Sequence, residues 1–147
     1  MIITDLWEAA IVGQPWDQRL RSATQVIYRA ASRHTNITIV MRGEVGPNHA
    51  LFTVREGMLR ALRDAGFEAD SAIGILGILR NYAEGFAVAR AGGRALPSRI
   101  HQLPAPEFPL LHKSADLYAT HVSDDAFEYG LELLIRGLRT DAPLGRT

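Results

Sequence analysis

Cysteine is missing from all 147 residues, which removes disulfides, thiolate metal sites and cysteine nucleophiles together. Excess charge of either sign is missing too: 16 Lys and Arg stand against 16 Asp and Glu. A free-standing nucleic-acid binder draws its affinity from neutralising phosphates and normally shows a basic surplus, so this chain is not expected to bind DNA by itself. Long apolar runs are absent as well. The longest uncharged apolar stretch, Ala72 to Leu79, falls far short of the ~20 residues of a membrane helix. The first residues carry Asp5 and Glu8 where a signal peptide would be basic. These features predict a soluble, cytoplasmic chain with no membrane partner. At this length it forms one domain with a real core.

What is present is helical periodicity nearly throughout. Ile2, Ile3, Leu6, Ala9 and Ala10 recur at helical spacing up to Gly13. Pro15 suits the first turn of a second helix with apolar positions Leu20, Ala23, Ile27 and Ala30. The β-branched run from Thr35 to Met41 would favour a strand on propensity. No partner strand is evident, so it reads as a short buried helix. Gly43 and Gly46 bracket a turn, and Pro47 opens a helix through Leu51, Val54, Met58, Leu59 and Leu62 that Gly66 stops in the αL conformation. The longest helix spans 68–90. Four prolines make 94–109 a loop. A helix over 110–120 follows, and Ser123 with Asp124 caps a last one ending near Arg139.

Two of these helices are apolar on more than one side. The last carries Phe127, Leu131, Leu134 and Leu138 on one stripe and Gly130, Leu133 and Gly137 on another, with Ile135 on a flank. The longest carries Gly74, Gly77, Gly85 and several alanines. Glycine inside a helix costs roughly 0.5–1 kcal/mol relative to alanine, so several together call for close approach of another helix. Either a buried central helix or a two-fold interface would satisfy this; two such helices point to the interface.

Motifs for chemistry are sparse. None of His34, His49, His101, His112 and His121 forms an HxxxH or HExxH pair. Asp124-Asp125 reads as a helix N-cap pair. Gly43-Glu44-Val45-Gly46 lacks the Lys-Ser/Thr of a phosphate loop, and no nucleophile elbow occurs. Neither enzymatic activity, nor a metal, nor a cofactor is expected.

The order and spacing resemble one family. The turn Arg42-Gly43-Glu44-Val45-Gly46-Pro47, the 19-residue interval from Pro47 to Gly66-Phe67, and the long helix with Tyr82, Gly85 and Phe86 are similar to the C-terminal domain of the tetracycline repressor (TetR) family. The closing helix resembles the subfamily pattern Phe, two residues, Gly-Leu, two residues, Leu-Leu, one residue, Gly-Leu, departing from it only at Ile135.

The resemblance implies an all-α bundle over 1–147, with residues 1–13 as the connecting helix. It implies a homodimer through a four-helix bundle involving Gly77, Asn81, Gly85, Phe127, Gly130, Leu131, Leu134 and Gly137. A small-molecule pocket is implied at Leu6, Thr24, Tyr28, Arg42, Val45, Met58, Ile73 and Leu76. The family's helix-turn-helix is not among these 147 residues, so operator DNA is expected to be contacted only through a domain outside this chain. Effector binding would release that DNA. The alternative is a headless dimeric binder of small molecules. The family archetype holds a magnesium-chelated drug with a His and a Glu. Here those positions are Arg42 and, on a looser alignment, Ala89; arginine offers donors only and does not ligate a cation. A hydrophobic effector with an anionic or hydrogen-bond-accepting end is expected instead. Each assignment has a plainer counterpart. Arg42 as a helix-end surface arginine and Tyr28 and Met58 as core are two of these. Thr24 bonded to its own helix and Asn81 in a structural polar contact are the others.

Overall fold

The computed structural model describes residues 12–33 and 49–145, and every described regular element is a helix. Leu6, Arg42, Val45, the connecting helix and the Thr35–Met41 segment lie outside the described residues. Helix α1 is Trp16–Arg33, α2 is His49–Asp64 and α3 is Ala69–Gly92. A 3₁₀ turn at Gly93–Ala95 leads into three short helices, α4 Leu96–His101, α5 Pro109–Ser114 and α6 Leu117–Thr120. The last helix, α7, is Asp124–Asp141, and a 3₁₀ turn at Pro143–Gly145 follows it.

Helix α1 is the axis of the bundle and packs on α2, α3 and α7. Its buried residues Leu20, Ala23, Thr24, Ile27, Tyr28 and Ala31 keep strict i, i+3, i+4 spacing. Asp17 in its first turn and Arg33 in its last both complement the helix dipole. Val54, Met58, Ala61 and Leu62 bring α2 into the same core, and Leu79 and Ala83 bring α3. Gly66 turns the chain out of α2 at φ +93°, and a Cβ there would meet Leu144 Cγ at 2.8 Å. Glycine is therefore required twice over, by backbone and by packing. The Leu144 N–H donates to the Ala65 carbonyl at 3.2 Å, tying the C-terminal turn to the end of α2.

Ser123 caps α7 as its sequence implies, accepting from the Ala126 N–H at 3.2 Å. The stretch 94–109 is less of a loop than its prolines predict. Pro97 sits in the first turn of α4, where a missing N–H costs nothing. The single helix expected over 110–120 is split into α5 and α6 around fully buried Ala115.

The inward stripe of α7 is also rotated from expectation. Phe127, Leu131 and Ile135, spaced four apart, have zero exposure, while Leu134 and Leu138 are only partly buried. A run of polar bonds flanks the stripe. Arg21 pairs with Glu128 and Glu132, Gln25 donates to Glu128 at 2.8 Å, and Arg139 donates to Asp17 at 2.8 Å and Glu132 at 3.0 Å. These bonds reinforce the rotation of α7 on α1 that the buried stripe sets. Phe127 and Leu131 belong to the protomer's own core, which corrects their placement at a dimer interface.

Candidate functional site

An aromatic cluster joins α1, α3 and α7. Phe127 lies between two tyrosine rings, stacked on Tyr28 at 3.9 Å and on Tyr82 at 5.3 Å. Phe86 meets it edge-on at 5.5 Å. Such offset and edge contacts each add about 0.5–1.5 kcal/mol beyond burial. Both phenols are bonded. The Tyr82 hydroxyl donates to the Phe127 carbonyl at 2.8 Å. The Tyr28 hydroxyl donates to Asp124 at 2.8 Å and accepts from Arg90 at 2.8 Å, and Arg90 also pairs with Asp124 directly. Burial raises the Tyr28 pKa, with the Arg90 hydrogen bond opposing and Asp124 reinforcing. Burial, aided by Glu128 and Tyr28, pushes Tyr82 up to about 12.

The expected pocket residues fall into two groups. Thr24, Tyr28 and Met58 are core: Thr24 and Met58 have no exposure, and the Thr24 hydroxyl donates to the Leu20 carbonyl at 2.8 Å. Thr24 thus takes its plainer role. Tyr28 is held by stacking on Phe127 and by hydrogen bonds with Arg90 and Asp124. Ile73 and Leu76 are elsewhere. With Phe52, Leu59, Arg55 and Arg60 they line a groove of about 630 Å³ between α2 and α3. Arg55 lies over the Phe52 ring at 5.4 Å and Arg60 donates to Glu56 at 3.1 Å.

The expected interface residues divide similarly. Built onto the backbone, a Cβ at Gly77, Gly85 or Gly137 meets nothing within 4 Å. Asn81 is exposed, its side chain accepting from Arg80 at 3.2 Å. Around these, Ile78, Val88, Tyr129 and Leu133 are exposed despite their size. Gly130 is different: a Cβ there would sit 2.2 Å from the Tyr82 hydroxyl oxygen. Its smallness serves a contact within the chain, which corrects its reading as a residue reserved for a partner. Leu134 is half-buried against the core. Tyr82 of α3 touches Gly130 of α7, so the two helices meet along a seam here; Ile78, Asn81 and Gly85 share one stripe of α3, and Leu133 and Gly137 one stripe of α7.

Arg90 and Asp124 went unrecognised as a pair, being 34 residues apart with no local motif to link them. Among the described residues no group of three or more His, Asp or Glu side chains is placed to hold a metal, and no helix is long and apolar enough to cross a membrane.

The family model described as tetracyclin repressor-like, C-terminal domain, matches residues 12–142. No curated protein and no solved structure matches. That span takes in every described α-helix, from α1 at the axis of the bundle to α7. The chain belongs to the tetracyclin repressor-like C-terminal domain family, the effector-binding and dimerisation domain of transcription regulators.

Proposed function

We propose that this domain is the sensing half of a transcriptional repressor. Two copies pair through a four-helix bundle of α3 and α7, a small apolar effector binds each, and binding releases operator DNA held by a separate DNA-binding domain. The observation that supports this reading is the seam of α3 and α7. Three glycines with open space above them and four large exposed apolar side chains lie on helices whose other sides are already packed. A glycine-lined seam admits a second helix at close range, and burying Ile78, Val88, Tyr129 and Leu133 recovers their hydration cost.

For the effector, the groove lined by Ile73 and Leu76 supplies an apolar wall with Arg55 and Arg60 at its rim. An elongated apolar molecule with an anionic end suits that lining. Leu6, Arg42 and Val45 are proposed to complete the site. A thermal-shift screen of elongated apolar carboxylates tests it. A ligand at 100 times its Kd stabilises by about 2.7 kcal/mol, roughly 5–10 °C for a domain of this size. That shift should vanish in Leu76→Trp, which fills the groove, and shrink in Arg42→Ala. Stabilisation that survives both substitutions rules out this effector site.

A further inference from the structure

A second cavity, of about 640 Å³, opens at the far end of the bundle, where the C-terminal ends of α1 and α3 meet the turn before α7. Its size falls within the range of small-molecule sites. Ala87, Ala91, Ala119 and Val122 give it small apolar walls, Ser32 brings a hydroxyl, and Arg90 brings the cation.

Arg90 is not a loose surface side chain. Its Nη1 is fixed by the Tyr28 hydroxyl and by Asp124, and Tyr28 is itself clamped by Phe127 and Phe86. Its Nε and Nη2 have no partner among the described residues, and the side chain is 44% exposed. A guanidinium held along one edge and open along the other is preset for two parallel bonds to a planar carboxylate. Asp124 already offsets part of the charge, so a dianion such as phosphate would be undercompensated. We propose that this cavity binds a small organic monocarboxylate, its carboxylate on Arg90 and its compact apolar body against Ala87, Ala91, Ala119 and Val122.

This site is separate from the α2–α3 groove and does not rest on the effector reading. The probe is benzoate, with benzamide as its uncharged isostere, titrated into the protein and followed by methyl NMR of its alanines and valines. Saturable shifts are expected at Ala87, Ala91, Ala119 and Val122, with benzamide weaker by about tenfold or more for want of the charge-assisted pair. Arg90→Gln should weaken benzoate by a similar factor. Ala91→Trp, at an exposed position that leaves the core intact, should block it, and Leu76→Trp in the other groove should leave it unchanged. Equal binding of benzamide, shifts confined to other methyl groups, no saturable shift, or binding that survives Ala91→Trp would each overturn the proposal.

Discussion

Replacing Gly130 by alanine separates a glycine needed inside the protomer from one exposed on its surface. On helix propensity alone the change should stabilise α7 by up to about 1 kcal/mol. The structure opposes it. The new Cβ would lie 2.2 Å from the Tyr82 hydroxyl oxygen and 2.9 Å from the ring carbon bearing it. Tyr82 must move, which breaks its bond to the Phe127 carbonyl, worth ~1 kcal/mol. The move also disturbs its stack on Phe127, worth ~0.5–1.5 kcal/mol. Overpacking adds ~1–3 kcal/mol where neighbours cannot retreat. The net expectation is a loss of about 2–5 kcal/mol, read as a fall in Tm of roughly 4–20 °C at this chain length. Urea unfolding of wild type, Gly130→Ala and Gly130→Ala/Tyr82→Phe measures it. The double variant should recover part of the loss, since the ring carbon remains too close. A Gly130→Ala protein as stable as wild type would refute the packing argument.

Tyr82, with its pKa pushed up to about 12 by burial, should be among the last of the four tyrosines to ionise in a phenolate absorbance titration. Its folded pKa exceeds the unfolded value near 10, so its contribution is complete below about 10 and lost as pH rises towards 12. Screening at a partly exposed ring holds that loss to about 1–2 kcal/mol, and Tyr82→Phe should flatten the alkaline limb; a Tyr82 that titrates with exposed tyrosines contradicts this. Glu132 has the opposite sign. Burial acts to raise its pKa, but the Arg139 hydrogen bond and the charges of Arg21 and Arg139 outweigh it and bring the pKa below the usual carboxylate range. Its stabilisation is therefore present above pH ~4.3 and lost as pH falls below that, and Glu132→Gln should flatten the acid limb of a Tm-versus-pH curve. An unchanged limb would show that the network along α1 and α7 does not stabilise the fold.

The helical periods of α1, α2, α3 and α7, the Gly66 stop and the Ser123 cap were legible because each is a local pattern of spacing or capping chemistry. The direction a helix faces was not. Phe127 and Leu131 read as candidates for a partner because either side of α7 is apolar. What turns Phe127, Leu131 and Ile135 inward is long-range: the Phe127 stacks on Tyr28 and Tyr82, and the ion pairs from Arg21 and Arg139 to Glu128, Glu132 and Asp17, most of them between residues over 100 apart in sequence. Gly130 misled for the same reason: its contact, Tyr82, lies on another helix. Met58 and Thr24, placed in a pocket by family resemblance, took the core and back-bonded roles that their residue types also allow. The Tyr28–Arg90–Asp124 cluster had no local signature, because it exists only where three helix ends converge.

Sedimentation equilibrium on the wild-type chain and on Leu133→Glu tests the seam of α3 and α7 most directly. Leu133 is exposed in the protomer, so the substitution spares the core and places a charge on the proposed interface. Wild type is expected at twice the 16.2 kDa chain mass at micromolar concentration, with Leu133→Glu shifted to the monomer and unchanged in helical content. A wild-type mass of 16.2 kDa across that range, or a Leu133→Glu protein that dimerises as tightly as wild type, would contradict the account.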